Sequence, residues 1–143
     1  MRYLSLLVMG LLMVATNAFA SGEKMPAAEA LSLSANGEII LVDIRTPQEW
    51  QQSGVPATAH LLNMKDKTFI PGLRALMAEN PGKPVALICA TGGRSGYVTK
   101  RLGEIGFPGL INVSEGMFGS ADGPGWLKHN LPTRQSTEPP RLN

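Results

Sequence analysis

The chain holds little of what most binding chemistries use: among its 143 residues there are one cysteine and two histidines. A single cysteine excludes an intrachain disulfide, so the fold must be held by its core. The histidines, His60 and His129, stand far apart in sequence, with no second ligand two, three or four residues away and no cysteine beside them, so a metal site has no support. They read instead as a strand residue and as an exposed residue of a closing helix. The 13 Lys and Arg and 11 Asp and Glu, a net charge of +2, are scattered singly. Without a basic cluster, nucleic acid is not an expected partner. Beyond the first twenty residues no apolar run is long enough to span a bilayer.

Those first twenty residues have the pattern of a secretory signal peptide. Arg2 supplies the positive start, Leu4 to Ala15 the apolar centre, and Ala18-Phe19-Ala20 a small-x-small cleavage site. Cleavage after Ala20 predicts a periplasmic or secreted protein beginning at Ser21, with no membrane association once the leader is gone. The remaining chain of about 123 residues is one domain, which buries roughly two thirds of its unfolded surface on folding. A domain over 21–135 and a polar, proline-rich, disordered tail over 136–143 are expected.

Within that domain short apolar runs alternate with helical patterns, as in an α/β fold with a mainly parallel sheet. Strands are expected at Ile39 to Ile44, Ala59 to Met64, Val85 to Cys89 and Leu110 to Val113. Helices are expected at Pro26 to Leu33, Pro47 to Gln52, Pro71 to Glu79 and Ser95 to Ile105, the last burying Val98, Leu102 and Ile105 on one face. Ligands of open α/β sheets bind beyond the carboxyl ends of the strands, where Asp43, Cys89 and Ser114-Glu115 fall.

The most informative stretch is 85–95. Val85 to Cys89 delivers the lone cysteine to a tight turn, Ala90-Thr91-Gly92-Gly93, after which Arg94 and Ser95 lead into a helix. A lone strand cysteine is by default a packing residue. Here the glycines allow backbone to wrap closely around the sulfur, and amides of a strand-to-helix turn stabilise negative charge. An unpaired cysteine in an exported protein also faces oxidation, which marks it as a reactive thiol.

The pattern C-x-x-G-x-R-S from Cys89 to Ser95 resembles the active loop of rhodanese-like sulfurtransferases, here of the exported, bacterial, single-domain type. Asp43-x-Arg45-x-x-x-Glu49-Trp50 resembles a second signature, D-x-R-x-x-x-E followed by an aromatic residue. In it Asp43 is expected to accept backbone NH groups near the loop, Arg45 to pair with Glu49, and Trp50 to pack. Val113 to Met117, Trp126 and Leu131-Pro132 resemble the closing segment, with Glu115 in place of a glycine. Met117 and Phe118 read as core residues or as walls of the pocket. Gly54 to Ala59 departs from the usual G-H-I-x-G-A. The resemblance runs from about Ala27 to Pro132 and implies a rhodanese-like α/β fold, a central parallel sheet flanked by helices.

It also implies a chemistry. Cys89 would take the outer sulfur of a small anion such as thiosulfate as a persulfide and pass it to cyanide, a thiol or a protein acceptor. Ala90, Thr91, Gly92, Gly93, Arg94 and Ser95 would bind the substrate, Arg94 by attracting anions and Ser95 by capping the helix and offering its NH. No metal or organic cofactor is required. The alternatives are a non-catalytic sulfur carrier of the same fold, and a phosphatase, whose loop would be one residue longer.

Overall fold

The computed structural model describes residues 19–141. The expected leader therefore lies outside the described residues as far as residue 18, and so do the last two residues of the expected tail. The described chain runs β1 (Glu23–Met25), α1 (Ala27–Ala35), β2 (Ile40–Asp43), α2 (Pro47–Ser53), β3 (Val55–Pro56), β4 (His60–Leu61), α3 (Phe69–Glu79), β5 (Val85–Ile88), α4 (Gly93–Glu104), β6 (Leu110–Val113) and β7 (Thr133–Arg134). Five strands form a wholly parallel sheet in the order β1-β6-β5-β2-β4, and β3 with β7 forms a small antiparallel pair.

The continuous apolar strands bury both faces. Leu41, Ala86, Ile88, Ile111 and Val113 meet α1, Met117 and Trp126 on one side. Ile40, Val42, Leu87 and Leu110 meet α3, α4 and Cys89 on the other. Sequence order reverses between the central neighbours β2 and β5, because the chain leaves β2 toward one edge of the sheet and leaves β5 toward the other. That reversal opens a crevice at the carboxyl ends of these two strands. Asp43 is registered against Ile88, and Ile44 N donates to Ile88 O at 3.0 Å, so Cys89 emerges at the crevice.

Several elements differ from expectation for local reasons. The strand expected over Ala59 to Met64 keeps only His60 and Leu61 in the sheet. Ile105 is 72% exposed because α4 stops at Glu104; Phe107 takes the core position, its amide bonded to Leu102 O at 3.0 Å and its ring covered by Arg74. Edge strand β1 was too short and too charged to be recognised in the sequence. Residues 136–141, the first part of the expected tail, return to the domain: Arg141 N donates to Ala57 O at 2.7 Å, and Arg134 donates to Glu138 O.

Candidate active site

Cys89 follows β5 directly and is only 1% exposed, so its sulfur sits at the floor of the loop. Ser95 N donates toward Cys89 Sγ at 3.4 Å, and Ser95 Oγ lies 3.2 Å from the same sulfur. Among the described residues, the amides of Thr91, Gly92, Gly93 and Arg94 have no protein acceptor. They form the first turn of a twelve-residue helix and the bend before it, where uncompensated NH groups favour an anion.

Glycine is required at two positions of this loop. Gly92 has φ 82°, and a Cβ there would collide with the Ser114 carbonyl. Gly116 has φ 66°, and its Cβ would stand 2.5 Å from Ala90 O. The segment after β6 thus presses against the cysteine loop, tied by Met117 N to Cys89 O and Phe118 N to Ala90 O, both at 2.9 Å. Met117 is fully buried, whereas Phe118 is 57% exposed beside the loop.

Ser95 does not cap α4. The helix begins at Gly93 with Gly92 as its cap residue, and the buried Ser95 hydroxyl donates to Asn112 Oδ1 at 2.7 Å. Asn112 Nδ2 in turn donates to Gly92 O at 3.3 Å. With its one proton on Asn112, Ser95 Oγ can only accept from the Cys89 thiol; over a thiolate the hydroxyl must rotate and donate to sulfur. Asn112 was missed by sequence reasoning, although a lone amide inside the apolar strand Leu110–Val113 was a signal. A groove of about 590 Å³ between β1 and α4, lined by Lys24, Gly96 and Lys100, meets this network at Asn112, but Cys89 does not line it.

The charged pairs are not those expected. Arg45 turns to Asp43, with three nitrogen-to-oxygen contacts of 2.7 to 3.1 Å, and both side chains are fully buried. Asp43 accepts the Arg45 amide at 3.1 Å and no loop amide, so it supports the site indirectly, by holding Arg45 against Ser53 Oγ and Gly54 O. Glu49 instead takes Arg94 in a bidentate pair at 2.9 and 2.5 Å. It also closes a capping box with Thr46 at the start of α2. The signature Thr-x-x-Glu of that box was legible in the sequence. Arg94 holds the Glu49 carboxyl down, from its ordinary 4.5 to about 2 against the opposing effect of burial, and the same contact raises Arg94. Trp50, expected to pack in the core, is half-buried on α2 and joins neither hydrophobic cluster, and among the described residues its buried Nε1 has no hydrogen-bond partner.

Glu115 has a larger role than its place in a loop suggested. Its buried carboxylate accepts from Ala27 N and Gly125 N, each at 3.0 Å, and lies 2.8 Å from His129 Nε2. Burial pushes this carboxyl up, but the two amides and the imidazole outweigh it and hold it below the ordinary value. His129 is therefore a partner of Glu115 in a turn, not a residue of a closing helix. His60, half-buried in β4, is lowered by desolvation. Among the described residues no three His, Cys, Asp or Glu side chains are grouped as metal ligands.

Known proteins share this fold. Residues 26–121 match the model of the rhodanese-like domain. An uncharacterized protein of Rickettsia prowazekii, RP600, is 30% identical over 109 residues, covering 70% of this chain and 86% of the relative. The crystal structure of Rv0390 from M. tuberculosis superposes with a TM-score of 0.63 at 27% identity, covering 80% of this chain and 98% of that one. The polysulfide-sulfur transferase homodimer of Wolinella succinogenes gives a TM-score of 0.54 at 27% identity, covering 81% and 80%. Cys89 thus stands on a scaffold shared across these bacteria, and the chain belongs to the rhodanese-like domain family.

Proposed function

We propose that this protein is a sulfurtransferase that carries sulfane sulfur as a persulfide on Cys89. The observation that carries the reading is the loop itself: a buried sulfur at the floor of a turn whose amides from Thr91 to Arg94 lack acceptors among the described residues. Such a ring suits the one negative charge of a persulfide. The polysulfide-sulfur transfer named for the Wolinella relative agrees with it.

In the first step the Cys89 thiolate attacks the outer sulfur of a donor such as thiosulfate. The donor S–S bond breaks, sulfite departs with the bonding pair, and Cys89 keeps the sulfur. In the second, cyanide or a thiol attacks that sulfur and restores the thiolate, leaving thiocyanate or a new persulfide. Ser95, rotating from Asn112 toward sulfur, stabilises the thiolate in both steps. Neither step needs a metal or an organic cofactor. We further propose that the chain is exported to the periplasm or beyond, with its leader removed after Ala20.

Intact-mass measurement of the reduced protein after incubation with thiosulfate or a low-molecular-weight persulfide tests the reading. One added sulfur atom, absent in Cys89→Ser and removed by cyanide, is expected. No gain with any sulfane donor, or a gain retained in Cys89→Ser, would overturn it. Stable loading with slow release to every acceptor would assign the carrier role in place of turnover.

A further inference from the structure

We propose that Glu49 sets the class of sulfur donor: by neutralising Arg94 at the mouth of the loop it turns the site from dianions such as thiosulfate toward organic persulfides, R–S–SH. The inference rests on the sulfane-sulfur reading above and concerns only which molecule supplies the sulfur.

Arg94 is the one cation between Cys89 and Tyr97, and both its terminal nitrogens lie on Glu49, at 2.9 and 2.5 Å. The other arginine at the strand ends, Arg45, is buried against Asp43. Both arginines at the ends of β2 and β5 are therefore matched by carboxylates. With its carboxyl lowered to about 2, Glu49 remains charged at every working pH, so the neutralisation is permanent. Thiosulfate brings two negative charges, and the sulfonate would have to leave water with neither arginine free to receive it. A persulfide brings at most one charge, on the very sulfur that the loop amides receive. Its organic group meets Phe118, which is anchored beside the loop by the hydrogen bond its N–H donates to Ala90 O and leaves 57% of its surface exposed.

The transfer balances without a further reactant. Cys89–S⁻ attacks the terminal sulfur of R–S–SH, the R–S to SH bond breaks, and R–S⁻ leaves with the bonding pair. The proton stays on the sulfur now carried by Cys89. One sulfane sulfur moves, and nothing is oxidised or reduced overall.

The test compares kcat/KM for thiosulfate and for glutathione persulfide in the wild-type protein, Glu49→Gln and Glu49→Asp. Glutamine keeps the capping-box geometry but not the charge, and aspartate keeps the charge. The wild type is expected to prefer the persulfide. In Glu49→Gln the thiosulfate-to-persulfide ratio should rise about tenfold, the size of one charge-assisted hydrogen bond from the freed guanidinium to the donor, and thiosulfate efficiency should become steeply dependent on ionic strength. Glu49→Asp should hold the wild-type ratio. A wild type that prefers thiosulfate, a ratio unmoved in Glu49→Gln, or equal shifts in both variants would each overturn the assignment while leaving sulfur transfer standing. Failure of both donors to load Cys89 would overturn sulfur transfer itself and the assignment with it.

Discussion

Two carboxylate–arginine pairs flank the same crevice and have opposite duties. Asp43 and Arg45 are fully buried, two residues apart, and tied to the backbone at Gly54. Glu49 and Arg94 are 45 residues apart, and each keeps about 30% of its side chain exposed. Charges without water must be matched wherever the fold puts them, so the first pair is a condition of folding. Charges at the rim are matched by choice of partner, and that choice alters what the site attracts. Depth separates the structural ion pair from the one proposed to set the donor, although the groups are chemically alike.

The largest effect should come from breaking the buried pair. Asp43→Ala leaves the Arg45 guanidinium uncompensated in the interior and is expected to cost about 3–5 kcal/mol in urea unfolding. Replacing both partners, as in Asp43→Leu with Arg45→Met, should recover most of that loss. If the double variant is no better than the single, the pair contributes more than charge matching.

An intermediate effect is expected at the rim. Arg94→Ala leaves Glu49 as an unmatched negative charge beside the loop, so thiosulfate efficiency should fall about tenfold or more. Alkylation of Cys89 by neutral iodoacetamide should fall much less. Adding Glu49→Gln to Arg94→Ala should restore part of the thiosulfate loss. Equal loss in both reactions would mean that Arg94 acts on the thiol and not on the donor.

The smallest effect is the pH dependence of stability. Because the folded carboxyl of Glu49 is lowered, its pairing contributes fully above its ordinary value of 4.5 and is lost as pH falls from there toward about 2. For a partly exposed pair this is within about 0–1 kcal/mol. Urea melts of wild type and Glu49→Gln should differ above pH 4.5 and converge below it. A gap as large at pH 2.5 as above pH 4.5 would trace the difference to the capping box and not to charge.

Much of this was legible from residue order. The alternation of apolar runs and helical patterns located the central strands because a parallel sheet buried on both faces leaves an unbroken hydrophobic signature. Strands β1, β3 and β7 left no such mark, being two or three residues long and defined only by their neighbours. The Thr46-x-x-Glu49 box was written locally, whereas the union of Glu115 with Ala27, 88 residues away, was not.

By itself the sequence determined the cysteine loop. A strand delivering Cys89, a Gly92 that accepts a left-handed turn and a helix starting at Gly93 are requirements of adjacent backbone, and neighbouring residues suffice to encode them. Only the tertiary structure decided which charge meets which. The register of β2 on β5 brings α2 beside the loop and hands Glu49 to Arg94, while burial at the strand end leaves Arg45, among the described residues, no charged partner but Asp43. Pairing over such distances follows from which elements the sheet places side by side, and desolvation then compels the deepest charges to pair first.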